Sequence, residues 1–175
     1  MQGDLVTLRA IERDDVPTLF AWDQEWDTWP EVSDQAYVPK SVEEALKAFD
    51  GEEESPYRSG DSFVPFAIEV DEELVGSVCL WGVDLHNRRA HLGIGLSASA
   101  RGRGYGTDAI KVVLRYAFEH RGLHRVQLEV LTDNAAAIRA YEKTGFVVDG
   151  RMRESAWVRG AFVDELYMSV LSSLA

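Results

Sequence analysis

At 175 residues the chain suits one domain, spanning residues 1–175, with a substantial core and no second unit. A single cysteine, Cys79, excludes an intrachain disulfide and a multi-cysteine metal site, and no stretch approaches the ~20 apolar residues of a membrane-spanning helix. The net charge of −12 divides into −15 over residues 1–75 and +3 over residues 76–175, which argues against nucleic acid as a direct ligand and for a cationic partner of the first half.

Residues 5–10 alternate well enough for a first strand, and Asp14 or Asp15 is placed to cap a helix with Pro17 in its first turn. Asp4 precedes any apolar run, so the beginning resembles no secretory signal and a cytoplasmic protein is expected. Trp22, Trp26 and Trp29 recur at helical spacing, a stripe that suits the core or, beside Asp23, Glu25 and Asp27, a rim that holds an amine. Ser41-Val42-Glu43-Glu44 is a capping-box start for a helix to about Phe49. Residues 50–61 read as a polar, mobile loop in which Glu52, Glu53 and Glu54 are solvated charges.

Residues 63–70 and 74–83 form two strands, and residues 88–96 a third; the short connections make them antiparallel. Cys79 lies in the apolar run Val78-Cys79-Leu80-Trp81, which marks it as a buried thiol rather than a nucleophile. A helix from Gly104 to about Arg121 presents Ala109, Ile110, Val113, Leu114 and Ala117 on one face. Its crossover returns through a strand at residues 125–131 parallel to a neighbour. A helix over residues 134–144 follows, and then a last hairpin turning at Arg159-Gly160. The expected fold class is α/β, a mixed and mostly antiparallel sheet with helices on both faces.

Between the third strand and the long helix stands Arg101-Gly102-Arg103-Gly104-Tyr105-Gly106-Thr107. Alternate glycines let the backbone turn and approach a ligand, and the helix start offers unpaired N–H groups at the positive end of its dipole. Phosphate or pyrophosphate is the natural guest. No Lys precedes Thr107, so this is not a P-loop, and Gly93-Ile94-Gly95-Leu96-Ser97-Ala98 satisfies the dinucleotide fingerprint only formally, because its last residues precede the helix by about a turn.

The R-x-x-G-x-G pattern at Arg101, Gly104 and Gly106 resembles the acetyl-coenzyme A pyrophosphate loop of the GNAT superfamily of N-acetyltransferases. Downstream, a strand ends near Asn134 and a short helix carries Tyr141-Glu142-Lys143-Thr144-Gly145-Phe146, which is similar to the second signature of that family. The two signatures cover residues 88–146. The opening residues 5–15 and the ending residues 164–170 are similar to the Rim type, acetyltransferases of ribosomal-protein N-termini and related amines. The resemblance implies acetyl-coenzyme A as co-substrate and no metal. Main-chain groups near Ile94 and Leu96 would meet the pantetheine arm, residues 101–107 the phosphates, and Asn134 would also contact the cofactor. A homodimer is compatible with it.

Acetyl transfer to an amine needs a bound thioester, a neutral nucleophile, a polarised carbonyl and a proton for the leaving thiolate; proximity carries much of the acceleration. Tyr141 is the candidate general acid, because a phenol is protonated at neutral pH and its acidity is comparable to a thiol's. The alternative for Tyr141 is a packed, structural tyrosine. For the general base, Glu129 interrupts an apolar strand, where partial burial strengthens a carboxylate as a base; its alternative role is an ion pair with Arg125. His91 is a second candidate base, at a strand position where many GNAT relatives carry Glu, and a chain of waters could replace both. The expected acceptor is a peptide N-terminus or a small cationic amine, entering against the acidic half near residues 23–31 and 52–58. The rival expectation is a non-catalytic acyl-coenzyme A sensor on the same fold.

Overall fold

The computed structural model describes residues 1–25, 37–51 and 55–173. Trp26, Asp27, Trp29, Glu31, Glu52, Glu53 and Glu54 lie outside the described residues, so the tryptophan stripe is seen only at Trp22.

Among the described residues, seven strands form one sheet in the order β1-β2-β3-β4-β5-β7-β6. They are β1 (Thr7–Arg9), β2 (Phe63–Val70), β3 (Glu73–Asp84), β4 (Arg89–Leu96), β5 (Arg125–Leu131), β6 (Val147–Val158) and β7 (Ala161–Leu171). Four α-helices accompany them, α1 (Val16–Asp23), α2 (Val42–Phe49), α3 (Tyr105–Arg115) and α4 (Ala135–Lys143). Every strand pair is antiparallel except β4 with β5, the one reached through the α3 crossover. No described helix is long and apolar enough to cross a membrane.

The larger core lies between the sheet and α3 and α4, where Leu8, Ile68, Leu80, Ile110, Leu128 and Met168 are fully buried. Each large apolar side chain removed from water contributes roughly 1.5–3 kcal/mol. Asp108, buried in the first turn of α3, accepts the Leu5 and Val6 N–H groups at 2.7 and 3.0 Å and so ties the chain's opening to this helix. A smaller core of Ile11, Val16, Leu19, Tyr57 and Ala67 sits under α1 and α2.

Three local expectations change. Asp15 does not cap α1 with its side chain; its carboxylate accepts the Glu12 N–H and two bonds from Arg9, which stabilises the turn before the helix. The long helix is α-helical only to Arg115 and continues as a π-turn, Tyr116–His120. Within the expected mobile loop, Tyr57 is buried and its hydroxyl donates to Asp23 at 2.7 Å. The α2 capping box forms as read, Glu44 N–H to Ser41 Oγ at 3.2 Å and Ser41 N–H to Glu44 Oε2 at 2.6 Å.

Candidate active site

β4 and β5 pair only over Arg89–Arg125, Ala90–Val126 and His91–Gln127; beyond these rungs β4 stays with β3, β5 stays with β7, and a gap opens between them. Ser97 N–H donates to Val75 C=O at 3.0 Å, so by strand alternation the peptide groups of Gly93 and Gly95 face β3 and those of Ile94 and Leu96 face the gap. One of them is already engaged: Leu96 C=O accepts Arg101 Nε at 3.2 Å.

The glycine loop abuts this gap. Gly102 and Gly104 have φ of +75° and +88°, the left-handed region, and Gly104 is the N-cap of α3. No side chain caps that helix; its first backbone bond is Asp108 N–H to Gly104 C=O, which leaves the N–H groups of Tyr105, Gly106 and Thr107 projecting from the helix start. A β-carbon on Gly106 would lie 3.3 Å from Leu96 Cδ1, which places the helix start against the strand that edges the gap. This is a site of partial positive charge suited to phosphate.

Asn134 caps α4 through its carbonyl, Ala137 N–H to Asn134 Oδ1 at 3.1 Å, which leaves its amide nitrogen to donate to a ligand. Above it a pocket of about 300 Å³ runs between Leu131, Asp133, Asn134 and Ala135 and the hairpin residues Val158 and Arg159. Nothing in the sequence indicated the hairpin side of this pocket. Tyr141, on the same helix, is buried against Phe146, with ring centroids 5.7 Å apart. Its hydroxyl has no hydrogen-bond partner among the described residues, and burial pushes the phenol up to about 12.

Tyr141 packs with Leu92, Leu128 and Val130, whereas alternation puts His91, Gln127 and Glu129 on the opposite face of the sheet. There His91 Nδ1 lies 3.3 Å from Glu129 Oε2 and His91 Nε2 lies 2.8 Å from Gln127 Nε2, with the ring stacked on Trp81 at 4.1 Å. The two candidate bases therefore touch each other. Arg125 does not pair with Glu129; it donates to Gln127 Oε1 at 2.8 Å and forms a salt bridge with Asp149. Sequence reasoning missed Gln127 and Trp81, which become relevant only once cross-strand register is known. Burial pushes the Cys79 thiol up to about 12, which removes it as a nucleophile at neutral pH.

At the end of α1, burial also pushes the Asp23 carboxyl above the usual range, against the opposing hydrogen bond from Tyr57. A pocket has Trp22, Asp23 and Glu25 on one wall and Gly95, Leu96 and Arg101 on the other. It joins the acidic end of α1 to the end of β4, where Leu96 faces the gap.

A family model for the acetyltransferase (GNAT) domain matches residues 6–147. The chain belongs to the GNAT acetyltransferase family. As a member it is an acetyl-coenzyme A-dependent N-acetyltransferase, and the non-catalytic sensor is set aside. The spermidine N(1)-acetyltransferase of Vibrio cholerae is 27% identical over 171 residues, 96% of this chain and 94% of that protein. An uncharacterized N-acetyltransferase from the SPbeta prophage of Bacillus subtilis is 27% identical over 162 residues, 93% and 87% of the two chains. Among solved structures, the Vibrio cholerae spermidine N-acetyltransferase in complex with CoA and spermine superposes with a TM-score of 0.82 at 24% identity, over 97% of this chain and 96% of that one, a likeness of fold.

Proposed function

We propose that this GNAT enzyme acetylates a small cationic amine of the polyamine kind, with a peptide N-terminus as the second choice. The observation that carries this reading is the pocket in which Asp23 and Glu25 face Gly95 and Leu96, because it sets anionic side chains beside the strand edge where the thioester is expected. The relative named for spermidine, matched over nearly its whole length, favours a polyamine over the ribosomal N-terminus that the Rim-type resemblance implies. A cytoplasmic setting fits a chain with a single, half-buried thiol and an acetyl-coenzyme A co-substrate.

In this reading the N–H groups of residues 101–107 hold the phosphates, and the gap-facing groups of Ile94 and Leu96 receive the pantetheine arm. The neutral amine attacks the thioester carbonyl from the His91 face, and Glu129 takes the proton the amine loses. The tetrahedral adduct collapses by breaking the carbon–sulfur bond, and Tyr141, on the opposite face, donates a proton to the departing thiolate. Acetylated amine and free thiol are the products. Because Tyr141 and Glu129 lie on opposite faces, acid and base reach the reacting centre from two sides without competing for one position.

The test is thiol release with acetyl-coenzyme A and a panel of spermidine, spermine, peptide N-termini, aminoglycosides and amino acids. Polyamines should show the highest kcat/KM. A clear preference for neutral or anionic acceptors would overturn the acceptor assignment.

A further inference from the structure

We propose that Arg125 and Gln127 lock His91 in its neutral, Nδ1-protonated tautomer, which makes His91 a positioning residue for the Glu129 carboxylate rather than a base. The assignment begins at Arg125, because a guanidinium can only donate. Its Nε donates to Gln127 Oε1 at 2.8 Å, so the buried Gln127 amide has its oxygen toward Arg125 and its nitrogen toward His91. The reverse orientation would set two donors face to face. Gln127 Nε2 then donates to His91 Nε2 at 2.8 Å, which must accept with its lone pair. The single proton of the neutral ring is left on Nδ1, and it points at Glu129 Oε2, 3.3 Å away.

The lock is braced at both ends. The Arg125 guanidinium is held by Asp149, which also accepts from the Ser169 hydroxyl, and the Trp81 ring lies over His91 at an interplanar angle of 30°. The Glu129 carboxylate makes no other hydrogen bond among the described residues, so its second oxygen is open to meet a substrate proton. A proton on His91 Nε2 would meet the Gln127 N–H head-on, so the ring cannot serve as base without breaking the chain.

The charged and titratable groups that face His91 are Glu129 and Arg125 on β5, Asp149 on β6 behind Arg125, Tyr167 on β7 opposite Glu129, and Cys79 and the Asp84–Arg89 pair from β3 and β4.

The role given to Glu129 rests on the acetyl-transfer reading, but the tautomer does not, and long-range proton–nitrogen correlation NMR of the whole protein reads it directly. The wild type should show the Nδ1–H form alone. Gln127→Glu keeps the acceptor for Arg125 and replaces the donor facing His91 with a second acceptor. The midpoint of His91 should then rise by about one pH unit or more. The acid limb of kcat/KM should rise with it, because an imidazolium ties up Glu129, while KM for acetyl-coenzyme A stays unchanged. An Nε2–H form in the wild type, or an unmoved midpoint in Gln127→Glu, would overturn the lock. If that variant does not fold, Gln127→Met, which cannot donate, should yield a mixture of tautomers; a pure Nδ1–H signal there would overturn it as well. A pure Nδ1–H wild type whose Glu129→Gln variant turns over normally would uphold the lock and remove Glu129 from the chemistry.

Discussion

As the proposed general acid, Tyr141 is set apart by what its hydroxyl lacks. The ring is packed and burial raises the phenol to about 12, so it stays a neutral donor across the working pH range, and no acceptor among the described residues competes for its proton. Tyr141→Phe should therefore cut kcat by on the order of 10²–10⁴-fold while leaving CoA affinity, measured by calorimetry, nearly unchanged. Asp23 carries a pH signature of its own. Its folded-state acidity is weakened by burial, so the folded chain holds this proton to higher pH than the unfolded one. The group thus favours folding at low pH and opposes it once ionised. Only the ionised form attracts an ammonium, so KM for a cationic acceptor should climb as pH falls through the raised range. Asp23→Asn should flatten that climb and flatten the loss of stability as pH rises from the ordinary carboxylate range through the raised one. Tyr141 and Glu129 could be singled out as candidates from the chain because each breaks an apolar pattern or completes a signature. Gln127 could not, because its importance depends on standing opposite His91 across a strand pair.

The start of α3 combines two demands on one position. Gly104 has a φ of +88°, and a β-carbon there would lie 3.3 Å from Leu5 Cδ1. Gly104→Val should cost roughly 1–2 kcal/mol from the left-handed backbone, and beyond that weaken CoA binding far more than Arg103→Ala. Gly104→Asn, which tolerates this conformation, separates backbone strain from obstruction of the ligand; normal CoA affinity in both variants would remove the loop from the phosphate site. At the start of α2, Ser41→Ala should cost about 1 kcal/mol, a fall of about 2–4 °C in Tm by calorimetry. Elements with local causes were legible from sequence: the capping box begins α2, and β5 spans residues 125–131 as read. The π-turn after Arg115 was not, because Ala117 stays buried and the apolar stripe continues while the hydrogen-bond register changes. Nor was the burial of Tyr57, whose anchor, Asp23, lies 34 positions away in sequence.

At the scale of the whole molecule, the acidic end of α1, in the acidic half of the sequence, meets Arg101 of the glycine loop, in the mildly basic half, around one pocket, where the cationic acceptor is proposed to enter. Opposed charge speeds encounter and is screened by salt. The kcat/KM for a cationic amine should therefore fall with ionic strength more steeply than CoA binding alone explains, in stopped-flow or steady-state assays; a flat dependence would reduce the acidity to surface solvation. The mixed sheet was legible because the connections set its strand directions, whereas the point at which β4 leaves β5 was not, since both strands read as continuous. That point has a mechanical consequence. Among the described residues the strand pairing that joins the block β1–β4 to the block β5–β7 is three rungs long, with the His91 side-chain contacts beside it, so the joint should exchange its amide hydrogens sooner than either block's interior. A thioester spanning the gap bridges both halves and should slow that exchange, most visibly at Ile94 and Leu96. With the thioester seated there as proposed, the enzyme would draw part of its cohesion from its own reactant, and each departure of free coenzyme A would leave the seam at its weakest until the next acetyl donor closed it.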